Sequence, residues 1–145
     1  MNRLKIAINT DIVVEYLLHH GPRVPALRVA MMKFFCYTTV FNAIELFALA
    51  PGDRERAAVS AAMGAMKILG LNAKQSPRYG AWFAAHPGLK PVSVLIAGLC
   101  VESKLPLLTN DVKSFRGFRG LRIIKSSALR ADETAESILA SGLVS

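Results

Sequence analysis

The stretch "KIAINTDIVVEYLL" runs apolar, breaks into Asn9-Thr10-Asp11, and turns apolar again. Three hydrogen-bonding groups in a row, the last one charged, close an otherwise buried run. Glu45 is the only acid between Glu15 and Asp53 and sits inside the apolar segment "VFNAIELFALA". A third acid, Asp111, follows "LPLLT" directly after Asn110. Carboxylates at Asp11, Glu45 and Asp111 with no His or Cys beside them suit a hard cation, Mg²⁺ or Mn²⁺. Such an ion binds phosphate, activates water and stabilises the leaving oxygen of a phosphodiester. Each acid also has a plainer reading: Asp11 as a helix cap, Glu45 as a satisfied core acid, Asp111 as a turn residue.

These three residues share a site only if the elements before them end side by side. Leu4 to Ile8 reads as a short buried strand. Thr10 or Asp11 then caps a helix whose apolar positions Ile12, Val13, Tyr16 and Leu17 share a face. Gly21-Pro22 stops it. "PALRVAMMKFF" reads as a helix from about Pro25, "FCYTT" as a strand, and "VFNAIELFALA" as a helix ended by Pro51-Gly52. Asp53 caps a longer helix with Val59, Ala62, Met63 and Met66 at core spacing, and "KILGL" is either its end or a short strand. "SPRYGAWFAAH" and "VSVLIAGLCVESK" are helices opened by Pro77 and Pro91. "LPLLT" and "LRII" are strands. Asp132 caps a last helix that Gly142 ends. Short strands alternating with helices predict an α/β fold with a mainly parallel central sheet. In such a sheet ligands bind beyond the carboxyl ends of the strands, where Asn9, Asp11 and Asp111 fall.

At 145 residues the chain makes one domain, residues 1–145, without linker or repeat. A chain of this size buries about 70% of its extended surface and needs no staple. No apolar run reaches a membrane span: Lys33, Lys67 and Lys104 interrupt the longest candidates. Lys5 and Asn9 break any signal-peptide pattern, and Cys36 and Cys100 lie in apolar surroundings, as reduced core cysteines do. The expected compartment is the cytoplasm, and no membrane partner is expected.

The balance is basic, 18 Lys+Arg against 10 Asp+Glu for a formal charge of +8, and a polyanion such as RNA is the simplest partner. No acid occurs between Glu55 and Glu102, a span that holds Lys67, Lys74, Arg78 and Lys90. "KSFRGFRGLRIIK" then spaces Lys113, Arg116, Arg119, Arg122 and Lys125 by three, with Phe115 and Phe118 between them. This row either tracks a nucleic-acid backbone and stacks a base, or is a solvated turn over two core phenylalanines. His19 and His20 suit a helix end, His86 suits a loop, and Trp82 suits the core. Some of Met31, Met32, Phe34 and Phe35 can face a partner protein. A nucleotide-binding or receiver-like domain is excluded in detail: no Gly-rich loop follows the first strand, and no strand-end Lys accompanies Asp111.

From about Lys5 to Ile124 the chain resembles the PIN domains, and most closely the VapC-type ribonuclease toxins of bacterial toxin–antitoxin pairs. The family opens with a strand ending Asp-Thr/Ser-Asn/Ser; here the slot reads "INTDIVVEYL". A Thr or Ser lies six residues before Glu-Leu; here it is Thr39 before Glu45-Leu46. The helix with Asp-x-Leu-Ile-Ala-Ala corresponds to "SVLIAG" from Ser93. The strand ending Thr-x-Asp/Asn with an aromatic four residues on corresponds to "LLTNDVKSF", giving Thr109, Asp111 and Phe115. "RGLRII" closes the pattern, and residues 126–145 form a C-terminal helical extension.

The resemblance implies a three-layer α/β/α fold and a Mg²⁺ or Mn²⁺ site that hydrolyses RNA phosphodiesters. It also implies a homodimer, and an antitoxin whose peptide lies over the first helices. Glu45 and Asp111 match the family's acids. The first acid falls on Asn9, so that Asp-Thr-Asn becomes Asn-Thr-Asp. Another falls on Ser93, and one before the aromatic falls on Ser114. The expected site is therefore an eroded one. Glu45, Asp111 and Asp11 would be the metal ligands, with Asn9 and Ser93 as further catalytic positions. Thr10, Thr39 and Thr109 would support them, and Lys113, Arg116, Arg119 and Arg122 would bind RNA. Two or three carboxylates give a weak metal site. The alternative is a homologue without turnover that binds RNA or an antitoxin.

Overall fold

The computed structural model describes residues 3–144. The first apolar run is β1 (Lys5–Ile8). It is followed by α1 (Thr10–Leu17), α2 (Ala26–Lys33), β2 (Phe35–Thr39), α3 (Val40–Leu49) and α4 (Asp53–Gly64). The edge strand β3 (Lys67–Leu69) leads through a 3₁₀ turn into α5 (Ser76–Ala85) and then α6 (Pro91–Glu102). The chain ends with β4 (Leu107–Leu108), β5 (Ile123–Ile124), α7 (Ala135–Gly142) and β6 (Leu143–Val144). The sheet order is β3-β2-β1-β4-β5-β6. Every pairing is parallel except β5 with β6. The expected α/β class with a mainly parallel sheet is the one observed.

Alternation along β1 divides the core into two layers. Side chains of successive strand residues point to opposite faces, so Ile6 and Ile8 enter one cluster and Ala7 the other. The first layer joins Ile12 and Val13 of α1, Leu27 of α2, Leu46 of α3 and Ile138 of α7. The second joins Val94, Ile96 and Ala97 of α6 with Phe115 and Phe118. A central strand covered on both faces reads as a continuous apolar run, and that is why "IAI" shows no polar alternation.

Several boundaries move. "KILGL" resolves as β3, paired with β2 from Tyr37↔Lys67 to Thr39↔Leu69. "LPLLT" and "LRII" contribute only two residues each to the ladder. Asn9, and not Thr10 or Asp11, occupies the cap position of α1, and its side chain makes no cap bond. Gly52 precedes α4, with Asp53 as its first residue. Asp132 does not cap α7: Thr134 does, accepting from the Ser137 amide at 3.1 Å. β6 has no counterpart in the sequence reading, because two exposed residues after Gly142 carry no strand pattern; pairing with Ile123 and Ile124 creates it.

Candidate active-site cleft

Register alone brings three strand ends together. Ala7 pairs with Tyr37 on β2, and Ile8 with Leu108 on β4. The next residues are Asn9, flanked by Thr39 on one side and Thr109 on the other. All three are buried, at the edge where a parallel sheet binds its ligands.

Asn9 is the hub. Its Nδ2 donates to Asp11 Oδ1 at 3.0 Å and to Thr109 Oγ1 at 3.1 Å. Its Oδ1 accepts from Asn42 Nδ2 at 3.0 Å. The same Asn42 amide donates to Thr10 Oγ1 at 3.0 Å, and Thr10 Oγ1 donates to Glu45 Oε1 at 2.5 Å. Asn42 is itself held by a capping box: Thr39 Oγ1 accepts the Asn42 amide at 3.1 Å, and Asn42 Oδ1 accepts the Thr39 amide at 3.2 Å. Sequence reading missed Asn42. The signal was there, three residues after Thr39, which is capping-box spacing at the start of α3.

Asp11 is a latch. Its Oδ1 accepts from Thr109 Oγ1 at 2.8 Å, and its Oδ2 accepts the Asn110 amide at 2.8 Å. With the bond from Asn9 it has three donors, two of them on the segment that carries Asp111. Positions 9 and 11 thus share one hydrogen bond and one negative charge, which stands on Asp11. Thr109 Oγ1 also accepts the Asp111 amide at 3.0 Å. Asp111 in turn accepts the Ser114 hydroxyl at 2.6 Å.

Glu45, Asp11 and Asp111 line one cleft of about 410 Å³, together with Asn9, Thr10, Ser93, Ser114 and Lys90. Ser93 is buried in the first half of α6. Among the described residues, no three His, Cys, Asp or Glu side chains come close enough together to hold a metal. Asp11 is engaged by three donors, Asp111 by the Ser114 amide and hydroxyl, and Glu45 by Thr10 alone, so Glu45 and then Asp111 have the most capacity to spare. Two carboxylates suit Mg²⁺ that arrives with a substrate phosphate better than a resident ion. Lys90, at the entry to α6, is exposed and brings a positive charge to the same cleft.

The basic series divides. Lys113 and Arg116 follow β4 on the cleft side and are exposed. Arg122 precedes β5, where its carbonyl accepts the Leu107 amide at 2.8 Å, so it lies at the opposite edge of the sheet. Phe115 and Phe118 are core residues. Phe118 stacks on His86 with ring centres 4.5 Å apart and packs against Trp82 at 5.4 Å. Trp82 and His86 thus support the turn from beneath. Phe34 is buried in the core, while Met32 and Phe35 are exposed.

No family model matches the sequence, and no curated protein does. Solved structures match its fold. The chain superimposes on a chain of VapBC2 from Rickettsia felis, bound to a DNA fragment from its promoter, with a TM-score of 0.69 at 16% identity. That match covers 84% of this chain and 98% of the other. DNA-bound VapBC from Salmonella typhimurium gives 0.69 at 18% identity, covering 85% and 98%. VapBC-1 from nontypeable Haemophilus influenzae gives 0.67 at 19%, covering 86% and 99%.

Proposed function

We propose that this chain, which has the VapC-type PIN fold, is an endoribonuclease of the toxin kind whose divalent cation arrives together with the RNA. The observation that carries this reading is the placement of Glu45 and Asp111 on one cleft, at the carboxyl ends of parallel strands. Glu45 and Asp111 would hold Mg²⁺ or Mn²⁺, and the ion would supply a Lewis acid for the phosphate and an activated water. The chain's own groups do the rest. Thr10 fixes Glu45 by donating to Oε1, which leaves Oε2 free. The Ser93 hydroxyl makes no hydrogen bond to a described residue and can orient a water. Lys90 draws in a phosphate, with Lys113 and Arg116 beside the mouth.

Two further surfaces fit this assignment. Val14, Leu17, Leu18, Leu46, Leu49 and Val59 line an apolar groove of about 350 Å³ between α1, α3 and α4. Leu18 and Leu49 there are 69% and 66% exposed. An antitoxin peptide laid over the first helices would cover them. Val40, Ile44 and Phe47 form an exposed apolar stripe on α3, suited to a homodimer. Among the described residues no helix is long and apolar enough to cross a membrane. An RNA-cleaving toxin would act in the cytoplasm.

The test is cleavage of RNA with Mn²⁺, with chelator, and with Glu45→Gln or Asp111→Asn. Each substitution should lower the metal-dependent rate at least a hundredfold while the protein still folds. A second reading, an RNA- or antitoxin-binding homologue without turnover, is favoured by one observation: among the described residues no three His, Cys, Asp or Glu side chains group closely enough to hold a metal. RNA binding that ignores metal, with no cleavage in Mn²⁺, would establish it.

A further inference from the structure

The edge of the sheet opposite the cleft carries a row of cations. Lys67 opens β3, Lys5 opens β1, Lys104 lies in the turn before β4, and Arg122 precedes β5. Arg3, Lys5, Lys104 and Arg122 line one cleft of about 420 Å³. Arg3 also lines a second cleft of similar volume, with Lys67 and Phe35. The two concavities share Arg3. Neighbouring strands lie about 4.8 Å apart, so five strands give the row a length of roughly 19 Å.

Two of these charges are held in place, and among the described residues none is paired with an acid. Arg3 Nη1 donates to the Met31 carbonyl at 2.9 Å, and Arg122 Nη2 to the Lys104 carbonyl at 3.1 Å. Lys5 Nζ lies 5.9 Å from the centre of the Tyr37 ring. The ion pairs among the described residues join Arg56 to Asp53, Arg78 to Glu102 and Arg130 to Glu133, and none involves this row. Among the described residues no carboxylate lines either cleft. Lys104 has φ +56, in the left-handed region where glycine is unstrained. Phe35 sits within the row, 47% exposed, its ring 5.2 Å from that of Tyr37. Cations interleaved with an exposed aromatic ring match single-stranded nucleic acid, whose bases stack while its phosphates are neutralised. An acidic protein would leave the aromatic ring unexplained.

We infer that this basic edge is a second RNA-binding surface, remote from the cleft, that holds single-stranded RNA by its phosphates and stacks a base on Phe35. The choice of RNA rests on the cleft reading above; the surface itself does not. The experiment is fluorescence anisotropy with a labelled 15-nucleotide single-stranded RNA in chelator, over a series of salt concentrations, on the full chain. The triple variant Lys5→Gln/Lys104→Gln/Arg122→Gln should weaken binding at least tenfold and flatten the salt slope by about 2, at about 0.7 per lost phosphate contact. Phe35→Ala should weaken it severalfold with the slope unchanged. A control, Arg23→Gln/Arg54→Gln/Lys74→Gln, removes as many charges elsewhere and should change affinity less than threefold. Circular dichroism and melting confirm folding, and Phe35→Ala tests the edge should the triple variant unfold. Equal losses in control and edge variants, an edge variant that binds like the parent, or no binding by the parent at low salt would overturn the inference. Weakened edge binding without metal-dependent cleavage would sink only the cleft reading. Cleavage that needs Glu45 but ignores the edge would sink only this one.

Discussion

At the scale of single residues, the pairing of Asn9 with Asp11 is the feature with the most direct consequence. Asn9→Asp alone would set two carboxylates 3.0 Å apart and delete one of the two hydrogen bonds that Asp11 Oδ1 accepts. We expect a loss of about 2 kcal/mol in denaturant unfolding, from like charge and a missing hydrogen bond. Asn9→Asp/Asp11→Asn should recover most of it. The amide at position 11 then donates to position 9 and accepts the Asn110 N–H, and Thr109 Oγ1 turns to the new carboxylate. The double variant should also bind Mn²⁺ more tightly by calorimetry, because its carboxylate is freed from the latch on Asn110. The sequence showed Asn9-Thr10-Asp11 but offered Asp11 only two fates, ligand or cap. Its third one, tying down the Asp111 segment, depends on partners 98 and 99 residues away.

At the scale of elements, α5 and α6 are joined by two contacts that set each other's composition. A Cβ on Gly98 would lie 2.5 Å from the Tyr79 ring and 2.8 Å from the Trp82 ring. Gly98→Ala should therefore cost about 2 kcal/mol by overpacking, read as a lower urea midpoint. Burial pushes the Tyr79 hydroxyl well above its ordinary range, and Glu102 adds to this. Burial raises Glu102, but hydrogen bonds from Tyr79, Gln75 and Arg78 outweigh it and hold its carboxyl below the ordinary value. A lowered folded-state value stabilises the fold above the ordinary carboxylate range and is lost as pH falls through it. Glu102→Gln should thus lower the melting temperature near pH 7 and narrow the gap from the parent as the pH drops toward 3. The helices themselves were legible from periodicity and proline positions. The two-residue strands β4 and β5 were legible as apolar runs but not in extent, since ladder length depends on which neighbour lies alongside.

For the molecule as a whole, the two ends of the strands differ. Asp11, Glu45 and Asp111 line the cleft at the carboxyl ends, while Arg3, Lys5, Lys104 and Arg122, with no ion-pair partner among the described residues, line a cleft at the other end. The apolar stripe on α3 predicts a homodimer, twice the 15.7 kDa chain, by light scattering. Replacing Ile44 with Asp should give the monomer with its fold intact. Cys36 and Cys100 are free and buried, and burial pushes each thiol up to about 12. Neither should react with a thiol reagent at pH 8 until the protein unfolds, because the thiolate is the reactive form.

Much of this was fixed locally and could be read from the chain. Alternating apolar runs dictated an α/β fold, and Glu45 and Asp111 stood out as acids where apolar or turn residues were expected. The folded arrangement decided what the pattern could not. Parallel register brought Asn9, Thr39 and Thr109 abreast, drew in Asn42, and turned Asp11 toward Asn110. It also sent Arg122 to the far edge while Lys113 stayed near the cleft. Period and propensity act over a few residues, whereas a side chain's role depends on the neighbours that strand pairing supplies from far along the sequence.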